Sequence, residues 1–320
     1  MNNTTKTNPS LAFLLLLLAV LILIWAVEWL LIRICNEYID IYTSTAVRFG
    51  IAAAVMAAFM LLFRIPVTFD RESIRLYVVV CIFSFIIPYF FCYWALLYIE
   101  SALTALIFAV FPIIVAIGAH FFVPGERLTV SKLGGAIIGF VGIALLFIGK
   151  MKTPSLAGFW QPKHGVTSAQ ALLAMLAIVA ATFSWAVQAI YVKLKAEGRH
   201  PFSFIFPGLL FSTIACAVVS AFHEPASPNI WSLRVRLYIL LLAVFATVTA
   251  FALYYYLLSK FPVSKISMSA FVTPMVSVIL GVTFGREAIS RFGWYGIPLV
   301  IGGVVLATRP WEAFRTEKNN

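Results

Sequence analysis

The sequence contains few charged residues for its length. Asp, Glu, Lys and Arg together make up 11% of its 320 residues, whereas hydrophobic residues make up 62%. Soluble domains carry about a quarter charged residues, so this chain has too few to cover a surface in water. The scarcity of charge excludes a water-soluble globular protein. It indicates an integral membrane protein whose outer surface contacts the lipid bilayer.

Motifs for metal binding and catalysis are also scarce. The four cysteines, at positions 35, 81, 92 and 216, lie in or beside apolar segments and form no Cys-x-x-Cys pair, so they indicate buried thiols without disulfides. The sequence has no phosphate-binding glycine loop, no nucleophile elbow and no metal-type His–carboxylate spacing. We therefore predict a non-enzymatic protein with no cofactor and no metal. Any transport would be driven by an ion or substrate gradient.

The formal net charge of +11 does not indicate a nucleic-acid partner, because the basic residues lie between the apolar runs. In membrane proteins Lys and Arg collect in loops on the cytoplasmic side. If the N-terminus is inside, inner segments hold 14 of these residues and outer segments hold 8. The bias predicts that both termini are cytoplasmic, in the inner or plasma membrane. The predicted partners are the bilayer and a small-molecule substrate, with no nucleic acid.

Ten apolar runs are long enough to be considered as membrane spans, which need about 20 residues. Because the runs are continuous rather than alternating, they predict helices rather than the strands of a barrel. The first run is longer than a signal-peptide core and is interpreted as a retained span. The predicted spans are 11–34, 43–63, 76–98, 101–123, 133–149, 169–192, 202–222, 236–258, 263–284 and 292–308.

The two halves of the chain repeat one another. The segment I-W-A-V-E-W-L-L-I-R at 24–33 returns as S-W-A-V-Q-A-I-Y-V-K at 184–193. Further matched pairs follow in the same order: Trp94 with Tyr256, Pro112 with Pro274, Glu126 with Glu287, Gly135 with Gly296, and Gly142 with Gly303. We predict five-helix repeats at 1–150 and 169–320, joined by a linker at 151–168. Because each repeat has an odd number of spans, the second enters the membrane inverted, as in many secondary transporters.

In these features the chain resembles the drug/metabolite transporter superfamily, specifically its ten-span EamA-type branch, over about residues 10–308. The residues that carry the resemblance are Trp25 with Arg33, Arg48-Phe49, Pro112, Gly125-Glu126-Arg127-Leu128, Gly135, Gly142, Trp185 with Lys193, Pro274, Glu287, Gly296 and Gly303. The second half departs from the pattern, because Gly208 stands at the counterpart of Arg48 and Ala-Ile follows Arg286-Glu287. The resemblance implies an all-α membrane fold and export of small metabolites, often amino acids or related compounds, from a central cavity.

Glu28 is the main candidate for substrate binding and for proton coupling. A carboxylate within a span is costly unless it is paired or hydrated, and Arg48 lies at a similar depth in the next, antiparallel span. Glu28 would bind a proton or a substrate ammonium, and Arg48 would tune it or bind a substrate carboxylate. The alternative is a structural ion pair between the first two spans. Gln188, the repeat-mate of Glu28, can hydrogen-bond a substrate but cannot titrate; the alternative is an interhelical hydrogen bond.

Aromatic residues complete the predicted substrate-binding set. Trp25 and Trp185 lie three residues before the polar positions, on the same helical faces, and Trp94 and Tyr256 precede the matched prolines. These rings would line a cavity, or they would serve packing and the interfacial aromatic belt. The full predicted substrate-binding set is Trp25, Glu28, Arg48, Trp94, Trp185, Gln188 and Tyr256.

Prolines and glycines within the spans predict bends and close helix contacts. Pro88, Pro112 and Pro274 are predicted to kink their helices, as bends around a cavity or as hinges for alternating access. The small residues at Gly135, Gly139, Gly281 and Gly285 predict close packing, within the chain or between subunits, so a monomer and a homodimer both remain open. Glu126 and Glu287, at span ends, are interpreted as caps or loop salt bridges.

The leading functional hypothesis is a secondary transporter that exports a small metabolite by alternating access. The first alternative is a multidrug exporter of lipophilic cations, which the many aromatics favour but the charge of Arg48 disfavours. The second alternative is a membrane protein without transport activity. The missing catalytic residues argue against an enzyme, and the duplication argues against a purely structural subunit.

Overall fold

The computed structural model describes residues 9–35, 38–99, 101–148, 165–223, 231–285 and 291–308. Within these ranges the chain is helical and contains no β-strand. Ten of its helical segments are long and apolar enough to cross a membrane. The predicted fold class, an all-α membrane protein with ten spans, is therefore confirmed.

Six spans are single helices and four are interrupted. The single helices are span 1 (Leu11–Cys35), span 2 (Ile41–Leu62), span 5 (Val130–Ile148), span 6 (Ser168–Lys195), span 7 (Pro201–His223) and span 10 (Arg291–Thr308). The interrupted ones are span 3 (Arg71–Val80, Cys81–Ile86, Ile87–Tyr98), span 4 (Ser101–Phe108, Phe111–Phe122), span 8 (Leu233–Leu241, Leu242–Thr249, Ala250–Lys260) and span 9 (Val263–Ser267, Ser269–Gly285).

Span 3 begins earlier than its apolar run predicts, because a side chain caps its polar first turn. The carboxylate of Asp70 accepts hydrogen bonds from the backbone N–H groups of Glu72 and Ser73, which would otherwise have no helical partner. Thr167 and Gln170 form a capping box at the start of span 6 in the same way. Hydropathy alone does not detect such starts.

Spans 3 and 8 each contain a π-helical segment that the sequence did not predict. The segments are Cys81–Ile86 and Leu242–Thr249. They start at matching positions of the two halves, because the same number of residues separates their starts as separates Glu126 from Glu287. A π-turn widens the helix and often marks a functional site. Pro88 lies in the first turn of the α-helix that follows the first π-segment, so the normal hydrogen-bond ladder is already interrupted next to it.

The matched prolines of spans 4 and 9 occupy different local structures. Pro112 lies in the first turn of Phe111–Phe122, just after the helix of span 4 has ended at Phe108. The predicted kink at Pro112 is therefore a break between two helices, and the proline starts the second one, where its missing N–H costs nothing. Pro274 lies inside the helix Ser269–Gly285. Whether either position acts as a hinge stays a prediction.

Spans 5 and 10 pack through glycines that belong to both halves. A Cβ atom at Gly135 would lie 2.4 Å from the carbonyl oxygen of Gly303, and one at Gly296 would lie 2.5 Å from that of Gly142. Gly139 lies against the ring of Phe271 in span 9. Gly135 and Gly139 therefore serve packing within the chain. The side-chain surroundings of Gly281 and Gly285 lie outside the described residues.

The spans pair in a way that relates the two halves. Span 5 packs on span 10 and span 2 on span 7; span 3 packs on span 6 and span 8 on span 1; span 4 packs on span 6 and span 9 on span 1. A shift of five spans converts each contact into another member of this set. Two equivalent halves would produce this arrangement. Their opposite orientation across the membrane stays a prediction.

Candidate functional site

Glu28 and Arg48 form a buried ion pair between spans 1 and 2. Arg48 Nη2 lies 2.5 Å from Glu28 Oε1, and the two side chains are 3% and 12% exposed respectively. The two residues therefore meet, as their similar depths in adjacent antiparallel helices predict. Within the described spans Glu28 is the only carboxylate that lies away from a span end. Because both groups are buried in a medium of low polarity, each charge needs the other to offset its loss of hydration.

Arg48 also connects the pair to the π-segment of span 8. Its Nε donates a hydrogen bond of 2.8 Å to Thr247 Oγ1, and that hydroxyl donates to the Leu242 carbonyl at 3.2 Å. The third nitrogen, Nη1, is buried and has no hydrogen-bond partner among the described residues. A buried donor without a partner costs about 1–3 kcal/mol, and more for a charged group. The site thus contains one guanidinium nitrogen, with two N–H groups, that has no acceptor among the described residues.

Two tyrosines of span 3 lie near this cation. Tyr89 and Tyr93 are within electrostatic range of Arg48, and their ring centroids are 5.8 Å apart. The ring of Tyr89 also lies 6.2 Å from that of Trp185. Tyr89 therefore connects the ion pair to the aromatic residues of the second half. It was missed at the sequence level, although it lies one helical turn from Tyr93 on the same face.

Gln188 occupies a neutral hydrogen-bond network in the second half. Its Nε2 donates to the hydroxyl of Tyr255 at 2.9 Å, and this hydroxyl lies 3.4 Å from Ser84 Oγ. Gln188 and Tyr255 are 3% and 4% exposed. The structure therefore gives Gln188 an interhelical partner, which the sequence had left as an alternative to substrate binding. No titratable group with an ordinary pKa near neutrality takes part in it.

The π-segment of span 3 supplies carbonyl acceptors to span 6. Trp185 Nε1 donates to the Ser84 carbonyl at 3.0 Å, and Ser184 Oγ donates to the Phe83 carbonyl at 3.1 Å. Both carbonyls lie in the segment Cys81–Ile86, where the wider turn leaves backbone oxygens free for other donors. Both π-segments therefore contact the predicted site residues, one through Trp185 and the other through Arg48.

Span 8 contains three consecutive tyrosines, at positions 254–256. Two of them contact predicted site residues. The ring of Tyr254 lies 5.6 Å from that of Trp25, and Tyr255 contacts Gln188. Tyr256, which the repeat singled out, instead has its ring 5.8 Å from Lys260 Nζ near the end of the span. The sequence match selected Tyr256 because Trp94 is its counterpart. It could not show which face of the helix would turn inward.

Trp94 lies apart from the ion pair, in a cavity between spans 2, 3 and 6. The cavity is an open groove on the apolar outer surface, where Leu173 and Leu176 are more than half exposed, with a volume of about 520 Å³. Its lining is almost wholly apolar and consists of Tyr42, Phe90, Phe91, Trp94, Leu173, Leu176, Ala177 and Ala180. We call it the lateral cavity. Neither Glu28 nor Arg48 lines it, so the predicted residues fall into an ion pair, a glutamine network and a separate aromatic cavity.

At the other end of the protein Glu126 caps the start of span 9. Its carboxylate accepts hydrogen bonds from the N–H groups of Val263, at 2.6 Å, and Ser264, at 3.1 Å, and from the Ser264 hydroxyl at 2.6 Å. Lys193 donates to the carbonyls of Leu258 and Phe261 at 2.7 and 2.9 Å. Together these two side chains hold the short link between spans 8 and 9. Glu287 lies outside the described residues.

No group of three or more His, Cys, Asp or Glu side chains suited to a metal ion occurs among the described residues. What the structure presents is a ten-span membrane protein with a buried ion pair and paired π-segments. Comparison with known proteins shows which family of membrane proteins has this fold.

The chain belongs to the EamA-like transporter family, which matches residues 11–148 and again 172–309. The number of residues between the starts of the two matches equals the number between Glu126 and Glu287. The resemblance drawn from the sequence is thereby confirmed, and the protein is a multi-pass membrane transporter. The bounds of the two predicted repeats, and their inversion, stay predictions.

Relatives of similar length are found in several bacteria. An uncharacterized transporter of Buchnera aphidicola is 24% identical, with 91% of this chain and 92% of the relative covered. The protein PagO of Salmonella typhimurium is 27% identical, with 93% and 92% covered. A crystal structure with 21% identity superposes with a TM-score of 0.78 over 95% of this chain and 99% of that one. The structural likeness supports the fold alone.

Proposed function

We propose that the protein is a secondary transporter that exports a small metabolite, an amino acid or related compound, across the inner or plasma membrane. The two halves would alternate access to a site between them. The observation that carries the proposal is the buried Glu28–Arg48 pair, which contacts spans 1, 2 and 8 and keeps one donor unused. Buried ion pairs contribute little net stability, and an ionisable residue within a membrane is by default a functional candidate.

The proposed orientation has both termini in the cytoplasm. Its support is the excess of Lys and Arg in the segments on that side. In this orientation the ion pair lies in the outer half of the membrane, and the Glu126 cap and the Lys193 contacts lie at the inner end. Export would then require the inner end to open around the link between spans 8 and 9.

A second candidate function is the export of lipophilic cations. The lateral cavity favours it, because its rings, including Tyr42 and Trp94, offer the apolar and cation–π contacts that such compounds prefer. Arg48 argues against a cation near the ion pair. The two functions therefore use different parts of the protein and respond to different substitutions.

Purified protein in proteoliposomes tests both functions. Labelled amino acids, organic acids, amines and lipophilic cations would be offered with and without an imposed pH gradient. We expect transport of at least one small polar metabolite, and we expect Glu28→Gln to remove its gradient dependence while the protein still inserts. The matched control is Glu72→Gln, which removes an exposed carboxylate in the first turn of span 3, away from the ion pair. Transport of lipophilic cations alone, sensitive to Trp94→Ala but not to Glu28→Gln, would favour the second function.

A further inference from the structure

Nη1 of Arg48 is the polar atom that points to a ligand. Nη2 donates to Glu28, Nε donates to Thr247, and Nη1 is buried without a partner among the described residues. Buried donors in native proteins nearly always have an acceptor, supplied by protein, water or ligand. A guanidinium in this state has one position open for an acceptor that arrives from outside the chain.

Glu28, the present partner of the guanidinium, indicates that this acceptor is a carboxylate. Glu28 approaches Arg48 through Oε1 alone, at Nη2. An arginine fork matches a carboxylate best when two parallel hydrogen bonds form, and here one of the two terminal nitrogens is unoccupied. A second carboxylate that engaged both nitrogens would form a stronger contact than Glu28 does.

We propose that Arg48 binds a carboxylate of the substrate, which displaces Glu28 from Nη2, and that Glu28 takes up one proton as the substrate binds. The proposal rests on the proposed function, because it names the substrate class of the same site. The proton comes from water and adds to a carboxylate oxygen of Glu28. No other covalent bond forms or breaks.

The local charges require this proton. The resting site holds one cation and one carboxylate. Among the described residues, the titratable groups within electrostatic range of Arg48 are Cys35 of span 1 and Tyr89 and Tyr93 of span 3, with Cys92 beside Tyr89. None of these is a second cation. A substrate carboxylate that brings no cation of its own would leave a net negative charge in a medium of low polarity, where two carboxylates that share a site do not both stay ionised.

Glu28 is the carboxylate that takes the proton because it loses its arginine contact while the substrate gains two. The site then returns to its resting net charge with the substrate in place. Substrate and proton consequently bind together and cross the membrane in the same direction, so export would be driven by the outward gradient of the substrate. This sign is opposite to that of an exchanger in which a proton and a substrate ammonium compete for Glu28.

Binding measurements on the full chain in lipid nanodiscs test the proposal without any transport assay. The probes are three monocarboxylates without an amino group, acetate, benzoate and 4-methylpentanoate, each compared with its neutral amide: acetamide, benzamide and 4-methylpentanamide. We expect at least one acid to raise the unfolding temperature more than its amide does. We also expect the weakly buffered sample to take up about one proton per bound acid, detected with a pH indicator dye.

Three variants separate this mechanism from a structural ion pair. Glu28→Gln should bind the acids several-fold more tightly, because the internal competitor is weakened, and should take up no proton. Arg48→Lys should weaken the preference for acid over amide, because an ammonium keeps the charge but lacks the two-pronged geometry. Glu72→Gln should behave as the unaltered protein. A purely structural pair would give neither tighter acid binding nor a change in proton uptake.

The proposal is overturned if none of the three acids stabilises Glu28→Gln, if acid and amide stabilise it equally, or if acids bind the unaltered protein without proton uptake. These outcomes are separate from the proposed function. Transport of a panel compound combined with failed acid binding leaves the transporter intact and removes this mechanism. Acid binding with proton uptake but no transport of any panel compound supports the site and counts against the transport proposal.

Discussion

The two halves of the molecule share a scaffold but differ in charge at corresponding positions. In the first half Glu28 pairs with Arg48. In the second, Gln188 bonds to Tyr255, and at Gly208 a Cβ atom would lie 3.3 Å from the ring of Phe85 and 3.3 Å from Val80. The space that would receive a second arginine is thus filled by side chains of span 3. The difference teaches that a similar frame can hold an ion pair in one half and a neutral hydrogen-bond network in the other.

The scaffold itself is shared by both halves. Both contain a π-segment, an interrupted span before the last helix, and glycines that face each other across spans 5 and 10. If the halves play different roles, substitutions in the shared scaffold should have similar effects in each half. Substitutions at the polar positions should have unequal effects.

The largest effect is expected from removing one partner of the ion pair. Arg48→Met should lower the free energy of unfolding by about 3–5 kcal/mol, because Glu28 remains buried without its cation. The double variant Glu28→Gln with Arg48→Met should recover most of this stability but no transport. Thermal unfolding and transport in proteoliposomes measure the two properties. A double variant as unstable as Arg48→Met would show that the charge of Glu28 is not the cause.

The next effect concerns the glycine contact that the halves share. Gly135→Ala and Gly303→Ala should each destabilise the protein by about 1–3 kcal/mol through overpacking, since their Cβ atoms would meet backbone atoms of the facing span. Gly134→Ala and Gly302→Ala are matched controls with open space at the Cβ position. They should be neutral or slightly stabilising. Unequal losses at Gly135 and Gly303 in thermal unfolding would break the equivalence of the halves.

A smaller effect is expected in the neutral network of the second half. Tyr255→Phe removes the acceptor of the buried Gln188 amide, which should cost about 1–2 kcal/mol. Adding Gln188→Leu should restore part of the loss, because both polar partners are then gone. The stability difference should not change between pH 6 and 8, in keeping with a neutral network. A dependence on pH in that range would mean that the second half also contains a titrating group.

The smallest effect is expected at the end of the molecule where loops of the two halves meet. Asp70 accepts hydrogen bonds from the Ser73 side chain and backbone, and Arg199 contacts both residues. These contacts, the Ser73 side chain first, lower the pKa of the Asp70 carboxyl from 3.8 to about 2.

Because the carboxyl pKa of Asp70 is lower in the folded state, its charge stabilises the fold above about pH 4. This contribution should be lost as the pH falls towards 2. Asp70→Asn should lower the unfolding temperature slightly at pH 7 and flatten its dependence on pH between 4 and 2. If Asp70→Asn leaves the pH dependence of the unfolding temperature unchanged between pH 4 and 2, the charge of Asp70 does not stabilise the fold. The effect is small because the group is exposed.

Much of the fold followed from the sequence, because bilayer thickness limits the lengths of apolar runs. The Glu28–Arg48 contact also followed, since two residues at equal depth in adjacent helices have few other partners. Thr247 could not be predicted as a partner, because it lies in span 8 and only tertiary packing brings it to Arg48. The π-segments were missed for the same reason: their widened turns have no distinct hydropathy pattern.

The sequence also could not predict the direction in which each side chain of an aromatic run points. Three adjacent tyrosines at 254–256 point in different directions around a helix, and the repeat alone favoured Tyr256. Packing instead turns Tyr254 towards Trp25 and Tyr255 towards Gln188. Likewise Pro112 was predicted to kink a helix, whereas the backbone already ends one helix and starts another there.

The central claim is that the ionic half alone couples a proton to the substrate. The most direct measurement is the initial transport rate of one substrate in proteoliposomes, with and without a pH gradient, for the unaltered protein, Glu28→Gln and Gln188→Leu. We predict that the rate responds to the gradient in the unaltered protein and in Gln188→Leu, and does not respond in Glu28→Gln. A rate that still follows the gradient in Glu28→Gln would contradict the claim.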